Sequence, residues 1–108
     1  MAPGSFLGEF EHLVLLTVLQ LADNARALDI RAHLEGQAER SVSRGALYAT
    51  LERLERKDLL TWATEDATPA RGGIPRRRFS VTPAGLTAVR TSQRVISRLS
   101  AGLDGAIG

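Results

Sequence analysis

The chain has 108 residues, 44% of them hydrophobic and 24% charged, which suits one compact unit with a modest core and excludes a wholly disordered composition. It has no cysteine, so disulfides, thiolate zinc sites and cysteine nucleophiles are excluded together, in keeping with a reducing compartment. The formal net charge is only +2, but residues 1–39 hold two arginines against six carboxylates, whereas residues 40–98 hold eleven arginines and Lys57 against five. A basic second half suits a polyanionic partner, and it equally suits a solvated surface.

The opening MAPGSFLGEFEH has no basic segment followed by an apolar one, so no secretory signal is expected. The apolar stretch from Leu13 to Leu21 is interrupted by Thr17 and Gln20 and is too short to span a bilayer. No membrane partner is expected, and the expected location is cytoplasmic. A first helix is predicted from Leu7 to about Ala22. Its apolar positions, including Val14, Val18 and Leu21, cover more than one stripe, so it must be buried on more than one side, by its own chain or by a second copy. Asp23-Asn24 reads as a turn and the start of a second helix, running from about Ala25 to Ala38 with Ile30 and Leu34 inward.

Ser41 and Ser43 are N-cap candidates for a third helix, Arg44 to Lys57, in which Leu47, Leu51 and Leu54 form one narrow apolar face. Asp58 stands where a glycine or asparagine usually ends such a helix. The β-favouring LLTWAT and the alternating RRRFSVT flank the loop EDATPARGGIP, which together read as a β-hairpin around a basic, glycine-containing loop. Thr82-Pro83 then opens a last helix to about Leu103, with Leu86, Val89, Ile96 and Leu103 on a roughly heptad stripe interrupted by Gln93 and Ser100. The expected fold is therefore mainly α with a small β-hairpin. It comprises a winged helix-turn-helix over residues 7–82 and a C-terminal dimerisation helix over residues 83–103.

SVSRGALYATLERLERKDLL resembles the third helix of the PadR family of bacterial transcription regulators, which usually opens with serine and contains Gly-(Ala/Thr)-Leu-Tyr, here Gly45-Ala46-Leu47-Tyr48. GGIPRRRFSVTPAG is similar to the family's wing, and LGEFEHLVLLTVL to its first helix. The chain departs from the family at Arg26-Ala27, where Tyr-Gly is common, and at Asp58, where glycine is usual. It departs again at Ile74, where arginine is frequent, and at Arg78, where an aromatic is. The resemblance implies a DNA-binding regulator, more often a repressor, that binds double-stranded DNA as a homodimer with a small apolar effector as a candidate further partner.

With Leu47 inward, the opposite side of the third helix presents Gly45, Ala49, Glu52, Arg53 and Arg56. Small residues at Gly45 and Ala49 allow close approach to a major groove, and Arg53 is placed to reach a base edge or a phosphate. Ser43 and Arg44 lie at the helix start, where amides favour phosphate, and the resemblance assigns Tyr48 to the same surface. Arg71, Arg76 and Arg77 are the wing candidates for backbone or minor-groove contact. Gly72-Gly73 lacks a following Gly-Lys-Ser/Thr, so a nucleotide loop is not expected. The apolar positions of the first and last helices, Phe10, Leu13, Val14, Leu86, Val89, Ile96, Leu99 and Leu103, are the dimerisation candidates.

Trp62 reads either as strand packing beneath the wing or as the wall of a ligand pocket. His12 and His33 are isolated in sequence, with no metal-ligand spacing, and no catalytic grouping or cofactor motif is found. No cofactor, metal or enzymatic activity is expected. Two functions remain open: a regulator reading two half-sites, and a dimeric ligand-binding or adaptor protein with little DNA affinity, which Glu52 and the low net charge favour.

Overall fold

In the computed structural model, which describes residues 7–65 and 76–107, helix α1 (Glu9–Leu21) lies at the centre and contacts three further helices and a strand. Val14, Leu15 and Val18 are buried there by the chain's own α2 (Ala27–Gln37), α3 (Arg44–Arg56), α4 (Pro83–Ser100) and strand β2 (Arg76–Val81). The two-sided apolar pattern of α1 is thus satisfied largely within one chain. Leu13 and Leu16 remain half-buried and Leu19 exposed.

The second helix starts later than its turn signal suggests. Ala22–Asn24 forms a short 3-10 turn, and Arg26 occupies the N-cap of α2 without a side-chain cap. The two residues gained outside the helix serve the hairpin. The Phe79 amide donates to the Ala25 carbonyl at 2.8 Å, and the Arg26 guanidinium pairs with Glu65, Nε to Oε1 at 2.7 Å and Nη2 to Oε2 at 3.2 Å. Between α2 and α3, Arg31 donates to the Val42 carbonyl at 2.7 Å, and the Val42 amide donates to Glu35 at 3.2 Å, which fixes the turn entering α3.

Ser43 is the N-cap of α3, its hydroxyl accepting from the Ala46 amide at 3.0 Å. Leu47, Thr50, Leu51 and Leu54 face the core. At the other end Asp58 adopts φ +60°, the left-handed conformation usually given to glycine. That turn lets the Leu59 amide reach the Leu54 carbonyl at 3.0 Å and the Asp58 amide reach Glu55 at 2.9 Å, so the last carbonyls of α3 are satisfied.

Strand β1 (Leu60–Glu65) pairs antiparallel with β2 in the register Leu60↔Val81, Trp62↔Phe79 and Thr64↔Arg77. Side chains alternate across a sheet, so these six share the inner face, while Ala63 and Arg78 lie on the outer one. Thr82 then joins three elements. Its amide donates to the Leu59 carbonyl at 3.1 Å, its hydroxyl donates to the Asp58 carbonyl at 2.7 Å, and the same oxygen accepts from the Gly85 amide to cap α4. Gly85 lies against this junction: a Cβ there would stand 2.1 Å from the Leu59 carbonyl oxygen and 2.7 Å from Val81 Cγ1.

Helix α4 buries only Gly85, Ala88 and Val89, and it ends at Ser100, short of Leu103. Gly102, at φ +78°, turns the chain into a one-turn helix, α5 (Asp104–Ile107). No helix among the described residues is long and apolar enough to cross a membrane.

One buried carboxylate holds α3 to α1. Glu11, 6% exposed, accepts from Lys57 Nζ at 2.8 Å and Arg53 Nε at 3.2 Å through Oε2, and from the Gly8 amide at 2.9 Å through Oε1. Burial pushes its carboxyl up, but the Lys57 hydrogen bond, the Gly8 amide, the Lys57 charge and Arg53 together outweigh it and hold the group below the usual glutamate range.

Three substitutions test these contacts. Gly85→Ala is expected to lose roughly 2 kcal/mol or more in urea denaturation, because the clash is with backbone. Gly36→Ala in α2, where a Cβ meets nothing within 4 Å, should be neutral or slightly stabilising. Glu11→Gln should cost about 1–3 kcal/mol at neutral pH. The native carboxyl titrates low, so its stabilisation is present above the unfolded pKa and disappears as pH falls through the folded one. The stability gap between the two proteins should therefore close in strong acid; a gap independent of pH would rule out a charge-based tie.

Candidate nucleic-acid interface

The face of α3 opposite Leu47, Leu51 and Leu54 is open. Gly45 and Ala49 are exposed on it, and a Cβ on Gly45 would meet nothing within 4 Å. Glu52 and Arg56 continue the same face, with Arg44 exposed in the first turn. Tyr48, 48% exposed, stands on the flank nearest the hairpin and borders a cleft of about 440 Å³ with Arg76, Arg77 and the start of α2 at Arg26 and Leu28. This cleft joins the exposed helix to β2. Arg44, Arg56, Arg76, Arg77 and Arg78 form no ion pair among the described residues, although Glu52 and Glu55, likewise without an ion pair there, line a cleft with Arg77.

Arg77 is held by a ring instead of a carboxylate. Its guanidinium carbon lies 4.2 Å from the centroid of Trp62, which sits diagonally across the hairpin on the same face. Trp62 is half-buried and packs against the core, so the strand-packing reading describes its main contacts.

Arg53 differs from its sequence expectation. It lies on the opposite flank of α3 from Tyr48, with Nε on Glu11 and Nη2 donating to Thr50 Oγ1 at 3.2 Å. Its charge is committed to α1, and it is not aligned with the hairpin arginines. Arg71 lies outside the described residues, as does the Gly72-Gly73 pair. Sequence reasoning missed Arg26 as a wall of the cleft, because its position depends on Glu65, which is 39 residues away.

The dimerisation candidates separate into two groups. Val14, fully buried, and Val89, 5% exposed, belong to the protomer's own core, so they are not available to a second copy; this corrects the sequence expectation. Phe10, Leu13 and Leu86 are half-buried, and Phe10 lies beneath the Arg40 guanidinium at 5.5 Å. Ile96, Leu99 and Leu103 are 51%, 73% and 45% exposed, with Leu103 beyond the end of α4. A groove of about 360 Å³ between α1 and α4 is lined by Leu7, Leu13, Leu16 and Ile96 with His12 and Ser92. His12 Nδ1 and Ser92 Oγ share a 2.9 Å hydrogen bond, whereas buried His12 Nε2 has no partner among the described residues. His33 Nε2 meets Gln20 Oε1 at 2.6 Å on the far side of α1.

Known proteins place this architecture. The fold is similar to a PadR-like transcription factor from Bacteroides fragilis, at 27% identity and a TM-score of 0.71 over 89% of this chain and 87% of that one. It is also similar to a PadR-like transcriptional regulator from Bacillus cereus, at 17% identity and a TM-score of 0.74 over 91% and 90%. The complex structure of hsRosR-S4 matches at 24% identity and a TM-score of 0.66 over 89% and 76%. No functionally curated protein matches the sequence. The model of the PadR-like family of transcriptional regulators matches residues 15–91, from the core of α1 into α4, and the chain belongs to that family.

Proposed function

We propose that this chain is a sequence-specific DNA-binding repressor that acts in the cytoplasm as a homodimer on a pseudo-palindromic operator. The observation that supports it best is the cleft bordered by Tyr48, Arg76 and Arg77, which makes the open face of α3 and the basic strand β2 one surface. In this reading α3 enters the major groove, since Gly45 and Ala49 leave its backbone unobstructed, and Arg56 lies on the same side. Arg44 and the Ser43 end of the helix meet a phosphate, with the Tyr48 hydroxyl beside them. Arg76 and Arg77 take backbone phosphates on the neighbouring turn. Arg53 acts indirectly, by holding the angle of α3 against α1 through Glu11.

The homodimer reading is supported by the far half of α4, where Ile96 and Leu99 are exposed and apolar, and by the α1–α4 groove with its unsatisfied His12 nitrogen. A second copy seated there would bury both the stripe and the groove and could bring a polar group to His12. A dimeric ligand-binding or adaptor role is the second reading. It is favoured by Glu52 and Glu55, whose carboxylates form no ion pair among the described residues and would face DNA uncompensated.

Selection from random DNA should yield a two-fold symmetric site with half-sites about one helical turn apart, and a footprint with the same symmetry. Equal affinity for unrelated fragments at physiological salt would favour the second reading. Arg77→Gln should weaken binding to all sequences alike and reduce the slope of log affinity against log salt by about one. Leu99→Glu should halve the solution mass measured by sedimentation while leaving the helical signal intact; an unchanged mass would place association elsewhere.

A further inference from the structure

We propose that the cleft between α3 and the hairpin, behind Tyr48, is a binding site for a small alkylammonium cation. It encloses about 420 Å³, within the usual range for small-ligand sites. Its walls combine two features. Trp62, paired across the hairpin with the buried Phe79, lies across the cleft from Tyr48, and Glu52 and Glu55 enter from successive turns of α3.

The chemistry of the occupant follows from the one cation already present. Arg77 places its guanidinium over the Trp62 ring at 4.2 Å, so this aromatic face already attracts a weakly hydrated positive group within the folded chain. Two carboxylates against that single guanidinium leave the cleft negative, and neither carboxylate forms an ion pair among the described residues. An anion within the cleft would lie against both carboxylates, and a neutral apolar molecule would desolvate them without compensation. An alkylammonium group satisfies both walls: its charge lies near the carboxylates and its methyl groups against the rings. It would do so by taking the ring face from Arg77, which therefore acts as a built-in competitor.

The neighbouring cleft, which shares Tyr48 and Arg77 as a wall, is lined by Arg26, Arg76 and Arg77 against the single carboxylate of Asp29, so its lining carries a positive balance. The cation site belongs to the free protein, so it stands or falls independently of DNA binding.

The chain has a single tryptophan, so Trp62 fluorescence reports directly on the cleft. Choline is the probe, and 3,3-dimethylbutan-1-ol, which has the same shape without the charge, is the control. The expected result is a saturable change with choline and none with the alcohol. Affinity should rise on the order of fivefold in Arg77→Gln, where the competitor is gone, and fall by a similar factor in the Glu52→Gln/Glu55→Gln double variant. All three positions are exposed, and far-ultraviolet dichroism checks that each variant is folded. Three results would overturn the proposal: no saturable response, an equal response to the alcohol, or binding in Arg77→Gln that is no tighter than in the parent protein.

Discussion

The Leu59 carbonyl is the point on which the positions of α3, the hairpin and α4 all depend. It lies one residue past the left-handed Asp58, accepts the Thr82 amide that closes the hairpin, and packs directly on Gly85 in the first turn of α4. A side chain at Gly85, or a different exit from α3, would move β2 relative to the helix. Tyr48 and Arg77 would then no longer border the same cleft. The site is thus set by backbone geometry at the far end of α3 from Tyr48.

Two buried or half-buried carboxylates organise the charges around that junction. The carboxylates of Glu11 and Glu65 are committed to internal pairs with Lys57, Arg53 and Arg26, and these pairs fasten α3 to α1 and the start of α2 to β1. The arginines left without carboxylate partners among the described residues include Arg44 and Arg56 on α3 and all three of β2. These pairs use two carboxylates against three cations, so the basic character of the α3 and β2 surface comes from where the remaining arginines cluster and not from the net charge of +2. Arg26 titrates above its ordinary value because of the Glu65 hydrogen bond, as expected of a cation used to fix structure.

Much of this was legible in the residues because it is local. Ser43 and Thr82 announce their helices through short side chains that cap amides three residues on, and the alternation of Phe79 and Val81 with Arg78 and Ser80 sets the inner and outer faces of β2. What was not legible depends on partners distant in sequence. Spacing alone puts Arg53 on the outer side of α3, but only the folded chain brings Glu11, 42 residues earlier, within reach of it. Val14 and Val89 read as surface stripe because periodicity shows that a residue is apolar and cannot show which body buries it. The end of α4 at Ser100 was signalled by Gly102, which takes the left-handed conformation at φ +78°, but the apolar stripe continuing to Leu103 masked it.

The placement of Val14 and Val89 bears on whether folding of this small chain needs a second copy. Because α1 is buried by its own protomer, the core requires no second copy to close it, and the exposed apolar surface includes the rim of α1 and the far half of α4, besides Leu28 on α2 and Ile107 in α5. Surface of that kind can be covered or uncovered without unfolding the domain. Yet it is not mechanically remote from α3. His12 links α1 to α4 through Ser92, and one residue earlier Glu11 links α1 to the end of α3. A shift of α4 along α1 would therefore act on the same short helical segment that sets the angle of α3, through two hydrogen-bonded side chains adjacent in sequence.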